Sequence, residues 1–307
     1  MATRTSAAPT WGTDMEQLAE QIVSGIGNGA IYASLAVALV LVFRSTGVIN
    51  LAQGEMAMFS TFVAWQLTAI GLNIWLAFLI TVVLSMAAGA GIERVLIRPF
   101  RKRDELTIII VTLGLFLIFN SLAGWIWSYT IRPFPSLLPD GTLDIGPVRT
   151  SIATLGTLAI VLAATFLLFL LFQRSKVGLA MRAVVDNGTS SQLVGIPIGA
   201  VLSLGWALAA GMGAMSGILI APKLFLEPHM MFGVLIYSFA AATLGGWDSP
   251  IGAVIAGLLV GVGQNLAATY IPWIGSDLTI VFALAIILAV LLVRPAGLLG
   301  SKEVARV

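Results

Sequence analysis

Cysteine is absent from this 307-residue chain, and histidine occurs only once. Without cysteine there are no disulfides and no thiol chemistry, so the redox compartment cannot be read from the sequence. The zinc motif H-E-x-x-H and the phosphate-binding motif G-x-x-x-x-G-K-[ST] are also missing. Charged residues make up only 10% of the chain, and a formal net charge of +2 is too small to indicate nucleic acid.

Hydrophobic residues dominate instead, at 59% of the chain, with a mean hydropathy of +1.02. A chain of this composition belongs in a lipid bilayer, where only helices or closed barrels satisfy the backbone. Barrel strands alternate polar and apolar residues, whereas the run 152–172 is apolar throughout. We therefore predict an all-α, polytopic membrane protein that forms a single domain over residues 1–307.

The apolar runs predict roughly eight or nine membrane-spanning helices of about 20 residues each. Glycines at spacings of three or four inside these runs favour close helix packing. The first run is interpreted as an uncleaved span, because no small-residue cleavage site follows it. The predicted spans lie near residues 20–43, 52–70, 73–97, 106–128, 151–173, 200–221, 231–246, 250–271 and 277–293.

Lysine and arginine predict the orientation of the spans. Basic residues cluster at 94–103, 174–182 and 294–306, which we expect on the cytoplasmic side together with the C-terminus. The connections 129–150 and 222–230 are then external. If one of the short segments is re-entrant, the number of spans falls from nine to eight, and the sequence leaves this open.

The segment 47–55 reads GVINLAQGE and interrupts the apolar pattern with helix-breaking and polar residues. One interpretation is a discontinuous helix beside a translocation path, with Glu55 in the bundle interior. The other is an ordinary turn, in which Asn50 caps the next helix and Glu55 occupies its first turn. Under the first interpretation we expect backbone N–H groups of the break to be the partners of the Glu55 carboxylate.

A second interruption, 245–252, reads GGWDSPIG. It predicts either a hairpin between helices, with Asp248 as cap and Pro250 in the first turn, or a re-entrant break related to 47–55 in the other half of the chain. Paired breaks in two halves of a membrane protein indicate a transport pathway. Both interpretations stay open at this point.

The segment 174–196 is a polar, basic loop in an otherwise apolar chain. Gly178–Val185 predicts a short helix, and Thr189 with Gln192 matches a capping box for a second one. Four apolar residues would make the pair a compact docking surface rather than a loop that only sets topology: Leu179, Met181, Leu193 and Val194.

Within this loop the pattern S-x-x-G-x-A-x-R-A…G-I, followed by GWALAAGMGAMSGIL (205–219), resembles the coupling loop of ABC importer permeases. With GIGNGAIYASLAVALVLVFRSTGVINLAQGE (25–55), LGGWDSPIGAVIAGLLVG (244–261) and RPAGLLG (294–300), nearly the whole chain is similar to the H-type permeases of the branched-chain amino acid (Liv) family. Gln53 stands where that family frequently has histidine.

The resemblance implies a permease subunit of an ATP-driven importer in the cell (inner or plasma) membrane. It implies a second permease subunit, identical or different, two cytoplasmic ATP-binding subunits and an external solute-binding protein, with no cofactor or metal. The two breaks in the apolar pattern supply the candidate pathway residues Asn50, Gln53, Glu55, Gly245 and Gly246. The ATPase-coupling residues that the resemblance suggests are Gly178, Arg182, Ala183, Asp186 and Gly195.

Two other classes of protein fit the sequence less well than an importer subunit. A secondary transporter or channel for small neutral solutes such as urea or amides is one, but ion-coupled carriers usually have several intramembrane carboxylates and this chain offers mainly Glu55. An enzyme is the other, but nothing in the sequence brings His229 to a serine such as Ser216 or Ser238. We interpret four intramembrane amides as interhelical hydrogen-bonding residues: Asn28, Asn120, Gln264 and Asn265.

Overall fold

The computed structural model describes residues 11–101, 103–145, 148–275 and 278–300, with the side chains of residues 11–14, 145, 148 and 186 excepted. Its helices and strands in chain order are α1 (Trp11–Thr46), α2 (Gln53–Ala69), α3 (Ile74–Ile92), α4 (Glu105–Trp127), β1 (Thr142–Ile145), β2 (Val148–Ser151), α5 (Ile152–Arg174), α6 (Lys176–Asp186), α7 (Gly188–Leu193), α8 (Ile198–Leu224), α9 (Met231–Gly245), α10 (Pro250–Tyr270) and α11 (Thr279–Val293).

Every predicted span coincides with one of these helices, which confirms a polytopic helical membrane protein. Six helices are long and apolar enough to cross a bilayer: α1, α3 with its extension to Phe100, α4, α5, α8 and α10. Three are shorter, namely α2 with 17 residues and α9 and α11 with 15 each. The antiparallel pair β1–β2, which the sequence did not predict, lies in the 129–150 connection.

Helices α1 and α8 form the buried centre, whereas α4, α5 and α11 bury only a few of their residues. Glycines allow α1 and α10 to touch backbone to backbone. A Cβ on Gly29 would lie 2.8 Å from the carbonyl oxygen of Gly257, and one on Gly257 would lie 2.5 Å from the Cα of Ala33. Small residues therefore bring these two helices closer than larger side chains would allow.

The bundle has two distinct ends, a basic end and a hairpin end. At the basic end, α6 and α7 lie near the start of α8, and the Arg98 guanidinium donates to the carbonyl oxygen of Gly199 over 2.7 Å. The opposite, hairpin end carries β1–β2, the end of α4 and the start of α5. Helices α1, α3, α5, α9 and α11 run toward the basic end, whereas α2, α4, α8 and α10 run away from it.

Helix α2 does not begin at either end of the bundle. The Gln53 side-chain nitrogen donates to the carbonyl oxygen of Ala209 over 2.9 Å. Ala209 follows Ile198, the first residue of α8, by 11 residues, or about 16 Å at 1.5 Å per residue. The first turn of α2 therefore lies beside the middle of the central helix, and α2 runs from there to the hairpin end.

The amides interpreted as interhelical residues make such bonds. Asn28 donates to Asn265 over 3.3 Å, which joins α1 to α10. Gln264 accepts from the Tyr32 hydroxyl over 2.7 Å and joins the same two helices. Asn120 links α4 to α2, as described below, so this interpretation is confirmed.

Candidate functional site

The chain leaves α1 at Gly47, whose φ of +75° lies in the region that glycine adopts most easily. Asn50 then lies fully buried, and its side-chain oxygen accepts from the backbone N–H of Ala52 over 3.0 Å. The helix cap itself is Ala52, which offers no side-chain hydrogen bond. Asn50 thus stabilises the break by a hydrogen bond within it. The alternative interpretation, in which Asn50 caps α2, is wrong.

Gln53 connects this break to the centre of the bundle. Its side-chain oxygen accepts from the Asn50 amide over 3.0 Å, while its nitrogen donates to Ala209 on α8. Gln53 is fully buried, and a Cβ on Gly213 would lie 2.7 Å from its nitrogen. Because Gly213 has no side chain, α8 accommodates the glutamine, and both amides find partners in an otherwise apolar core.

Glu55, in the first turn of α2, is only 2% exposed. Its carboxylate accepts from the Asn120 amide over 3.2 Å. The same amide nitrogen lies 2.9 Å from the carbonyl oxygen of Pro228 and 3.4 Å from Nδ1 of His229. An amide nitrogen has two hydrogens and can donate to two of these three atoms at once.

We call these groups the polar cluster: Glu55, Asn120, the Pro228 carbonyl and His229. The expectation that backbone N–H groups hold the Glu55 carboxylate is wrong, because the recorded donor is a side-chain amide from α4. Among the described residues Glu55 forms no ion pair. Its burial is therefore offset by hydrogen bonding rather than by an opposite charge, and the N-terminus of α2 adds a favourable dipole.

A second break in the chain meets the first at this point. After α8 ends at Leu224, residues 225–230 return toward the bundle centre, and α9 begins at Met231. Gly54 packs against Leu235, since a Cβ on Gly54 would lie 3.3 Å from two of its side-chain atoms. The N-terminal turns of α2 and α9 are thus neighbours, and the two short helices run in opposite directions from one region.

Gly245 and Gly246, the other proposed pathway residues, lie elsewhere. They are 14 and 15 residues after Met231, or about 20 Å along α9. A Cβ on Gly245 would lie 2.3 Å from the backbone of Gly252, and Leu298 donates from its backbone to Leu244 over 2.7 Å. This segment is a tight turn between α9 and α10 that the C-terminal residues hold in place. The segment that lies beside 47–55 is instead 225–230, which the sequence predicted to be part of an external connection.

The cap of the following helix also differs from expectation. Ser249, rather than Asp248, caps α10 by accepting from the backbone N–H of Gly252 over 3.0 Å. Pro250 occupies the first helical position, as predicted.

At the basic end, α6 and α7 form a compact unit that we call the knob (residues 175–195). A Cβ on Gly178 would lie 2.3 Å from the carbonyl oxygen of Leu171, so α6 packs directly on the end of α5. Arg182 donates to the Phe172 carbonyl and, over 2.9 Å, to the Gln173 side chain. The arginine therefore fixes the angle between α5 and α6 rather than projecting away from them.

The second helix of the knob is capped by Asn187, which accepts from Ser190 N–H over 2.9 Å. The predicted capping box on Thr189 is therefore wrong. The Ala183 carbonyl accepts from the Asn187 N–H over 2.9 Å, and Gly195 has a φ of +83° at the end of the unit. The side chain of Asp186, also proposed for coupling, lies outside the described residues.

The knob has one buried and one exposed apolar face. Met181 and Val184 pack against Val201 and Leu202 of α8. Three of its apolar side chains remain largely exposed, at 61%, 85% and 76% respectively: Leu179, Leu193 and Val194. Exposed apolar side chains on a rigid polar loop are typical of a surface that binds another protein.

One buried group was missed by the sequence analysis. Glu93, in a π-helical turn after α3, is 1% exposed and pairs with Arg98 over 2.7 Å. Arg98 and Glu93 both bond to the hydroxyl of Ser203. This network joins the end of α3 to the start of α8, next to the knob, and the charges flanking Glu93 in the sequence were its only signal.

The sequence of this chain matches a family of known proteins. A family model described as "Branched-chain amino acid transport system / permease component" matches residues 21–291. The chain belongs to this family of permeases. The resemblance noted in the sequence is therefore confirmed.

Individual relatives agree along nearly the whole chain. The high-affinity branched-chain amino acid transport permease LivH of Salmonella typhimurium is 30% identical over 303 residues, covering 94% of this chain and 97% of its own. BraD of Pseudomonas aeruginosa, with the same description, is 29% identical over 302 residues at the same coverage. A fructose import permease, FruF of Bifidobacterium longum, is 23% identical over 282 residues, covering 85% and 76% of the two chains.

A solved structure shares the architecture. PsaBC from Streptococcus pneumoniae matches with a TM-score of 0.50 and 13% sequence identity, covering 94% of this chain and 96% of that one. At this identity the likeness concerns the fold alone. Together with the six apolar spans, the family membership identifies a multi-pass permease of the inner membrane.

Proposed function

We propose that this permease forms half of the translocation pathway of an ATP-driven importer for branched-chain or related small amino acids. The observation that carries the proposal is the polar cluster, where the first turns of α2 and α9 meet inside an apolar bundle. Short helices that begin at membrane depth, with their N-termini at one site, are a recurring arrangement in transporters. Relatives described as branched-chain amino acid permeases support the substrate class.

The chemistry of the cluster suits a small zwitterion. The N-terminal turns of α2 and α9 favour a carboxylate, because helix N-termini carry partial positive charge. The Glu55 carboxylate favours an ammonium group, and Asn120 can accept or donate beside it. Next to the cluster, Met56, Phe59 and Phe119 border an apolar cavity of about 150 Å³ between α2, α3 and α4, which suits an aliphatic side chain.

The knob is the surface we propose for an ATP-binding subunit. Its exposed Leu193 and Val194 supply apolar contact area, and Gly178, Arg182 and Ala183 give it a defined shape. Because the sequence lacks a phosphate-binding loop, ATP hydrolysis is assigned to two partner chains. A second permease subunit, identical or different, completes the pathway, and an external binding protein delivers the substrate.

We infer the orientation from the basic residues, whose distribution favours a cytoplasmic position for the knob and Arg98. The strands β1 and β2 are then external. A cysteine at Ser136, in a chain with no other cysteine, should react with a membrane-impermeant reagent in intact cells. Reaction only after permeabilisation would reverse the orientation.

Uptake tests the function directly. Proteoliposomes holding the permease pair, the ATP-binding subunits and the binding protein should take up labelled leucine with ATP, and should fail to do so without this chain. Labelled urea, assayed in parallel, separates an amino acid importer from a permease for small amides. Urea uptake without ATP, and no leucine uptake, would refute the proposal.

A substitution in the knob tests the coupling. Leu193→Asp places a charge in the proposed contact, so substrate-stimulated ATP hydrolysis should be lost while membrane insertion is kept. Leu193→Met retains an apolar side chain of similar volume and should behave like the wild type. Equal ATP hydrolysis in the two variants would exclude this surface as the docking site.

A further inference from the structure

Two non-glycine residues of the described chain have positive φ, and both end a long helix at the hairpin end. Ser128 follows α4 with φ 66° and ψ 171°, and Phe225 follows α8 with φ 63° and ψ 160°. This region of backbone space is essentially restricted to glycine, so surrounding contacts must hold both residues there. Such outliers concentrate at segments with a functional role.

The segments that follow these two residues are joined to each other. The backbone N–H of Arg132 donates to the Leu226 carbonyl over 3.0 Å, and the Leu226 N–H donates to the Arg132 carbonyl over 2.8 Å. Leu226 is fully buried at this bridge. We call residues 128–132 the strap, because they hold the segment 225–230 that carries the Pro228 carbonyl and His229 to the polar cluster.

The strap is in turn anchored on α2 and α4. The Arg132 guanidinium lies 4.5 Å from the centre of the Trp65 ring, and it donates to the Trp127 carbonyl over 2.7 Å. Trp127 stacks on Phe62 with ring centres 5.0 Å apart and donates to Gln66 over 3.0 Å. One arginine therefore connects the ends of α2 and α4 with the segment that leads into α9.

A second contact reaches the cluster itself. The Tyr129 ring stacks on His229 with ring centres 6.0 Å apart. The ring also packs directly on α4 at Gly124, where an added Cβ would be 2.2 Å from it. The Nε of Arg132, however, is buried and has no hydrogen-bond partner within the described residues. The strap is thus held by several contacts but leaves one buried donor unpaired, which favours its release.

We propose that the strap is a closure that positions the polar cluster and must release residues 225–230 for each transport cycle. While it is seated, it keeps the Pro228 carbonyl on Asn120 and covers the cluster from the hairpin end. When it moves, the segment 225–230 and the start of α9 are free to shift away from α2. This inference rests on the proposed function, because it assumes that substrate passes the polar cluster.

A reversible cross-link tests the closure. In an antiparallel bridge the flanking residues Ile131 and Glu227 lie opposite each other, with Cα atoms about 4.5 Å apart, which a disulfide can span. Ile131 is 66% exposed and the chain has no native cysteine. The double variant Ile131→Cys/Glu227→Cys in the assembled transporter should form a disulfide on oxidation, lose uptake, and recover it on reduction.

The β1–β2 hairpin offers a matched control. Asp144 and Arg149 are exposed register partners at the same end of the bundle. The double variant Asp144→Cys/Arg149→Cys should cross-link under the same conditions and keep its uptake. Any loss of uptake that both double variants share would then come from the oxidant rather than from the strap.

The outcomes separate this proposal from the proposed function. Uptake that persists with Ile131 and Glu227 fully cross-linked would overturn the closure while leaving the importer assignment intact. Failure of this pair to cross-link, when the hairpin pair does, would overturn the bridge on which it rests. Absence of leucine uptake by the wild-type assembly would refute the proposed function and the closure with it.

The side chain of Arg132 provides a second measurement. Arg132→Gln removes the cation from Trp65, so ATP hydrolysis in the absence of the binding protein should rise above that of the wild type. Arg132→Lys keeps a cation over the ring and should show a smaller rise. Unchanged basal hydrolysis in both variants would argue that the strap does not restrain the resting transporter.

Discussion

The two interruptions of the apolar pattern, 47–55 and 245–252, look alike in sequence but are stabilised in opposite ways. The first is held by side chains, because buried Asn50 and Gln53 bond to each other and to α8. The second is held by backbone, because Gly245 packs on Gly252 and the C-terminal segment bonds to the end of α9. The first break, stabilised by side-chain amides, buries several polar side chains in the middle of the bundle. The second break, a tight turn built on glycines, buries almost no polar side chains.

The difference teaches where function resides in this permease. The first break places a carboxylate beside the start of another short helix, which is where we propose that the substrate binds. The second ends a helix and returns the chain with the closest backbone contact that glycine allows. We therefore expect substitutions in the second break to affect stability, and substitutions in the first to affect transport.

The largest effect on folding is expected at Gly245. Gly245→Ala forces a Cβ to within 2.3 Å of the Gly252 backbone, so the helices must separate. We expect a loss of about 1–3 kcal/mol or more in the free energy of unfolding. Gly233→Ala in the same helix meets no atom within 4 Å and is the control. Equal melting temperatures for the two purified variants would contradict the close contact.

The largest effect on transport is expected at Glu55. Glu55→Leu removes the carboxylate oxygens that we propose accept from the substrate ammonium group, so uptake should be abolished, whereas Asn120 still has the Pro228 carbonyl as an acceptor. Glu55→Gln retains an acceptor oxygen and should keep much of the activity. Uptake is compared at equal membrane levels of the variants. If the leucine variant transports like the wild type, the Glu55 carboxylate has no role in binding the substrate.

A smaller effect is expected at Gln53. Gln53→Leu leaves the buried Asn50 amide without its side-chain acceptor, which costs about 1–3 kcal/mol of stability. Uptake should fall but not vanish, because the Glu55–Asn120 bond remains. Thermal unfolding and leucine uptake, measured on the same preparation, check both effects. A variant as stable as the wild type would show that the Asn50–Gln53–Ala209 chain does not hold the break.

The smallest effect is expected at Ser249. Ser249→Ala removes the cap of α10 and should cost about 1 kcal/mol of stability. Leucine uptake should stay at the wild-type level, because the capped turn lies at the far end of α9 from the polar cluster. A marked loss of uptake with intact stability would assign the second break a role in transport, as the paired-break interpretation supposed.

Local patterns in the sequence were sufficient for much of this fold. Apolar runs located helices α1–α5 and α8–α11, because burial in lipid requires continuous hydrophobicity. Glycine spacing indicated the close packing of α1 on α10. The polar island 174–196 indicated two short helices, although Asn187 rather than Thr189 caps the second, since several neighbouring residues can serve as caps.

The hydrogen-bond partners of the polar cluster could not be predicted from the sequence. Asn120 is 65 residues from Glu55 and 108 from Pro228, so no local signal connects them. The sequence paired the break 47–55 with 245–252, because both contain glycine and a polar turn. The actual neighbour, 225–230, contains no comparable signature, since Phe225 rather than glycine occupies the positive-φ position.

The apolar pattern of the chain thus determined that this protein is a helical membrane protein and where its helices run, and the order of its motifs indicated the permease family by resemblance. They could do so because hydrophobicity and motif order are properties of contiguous residues. Only the tertiary structure decided that α2 and α9 start at one polar cluster and that Arg132 straps the segment between α8 and α9. Those contacts depend on which helix faces pack together, and packing is settled by the whole bundle at once rather than by any stretch of the chain.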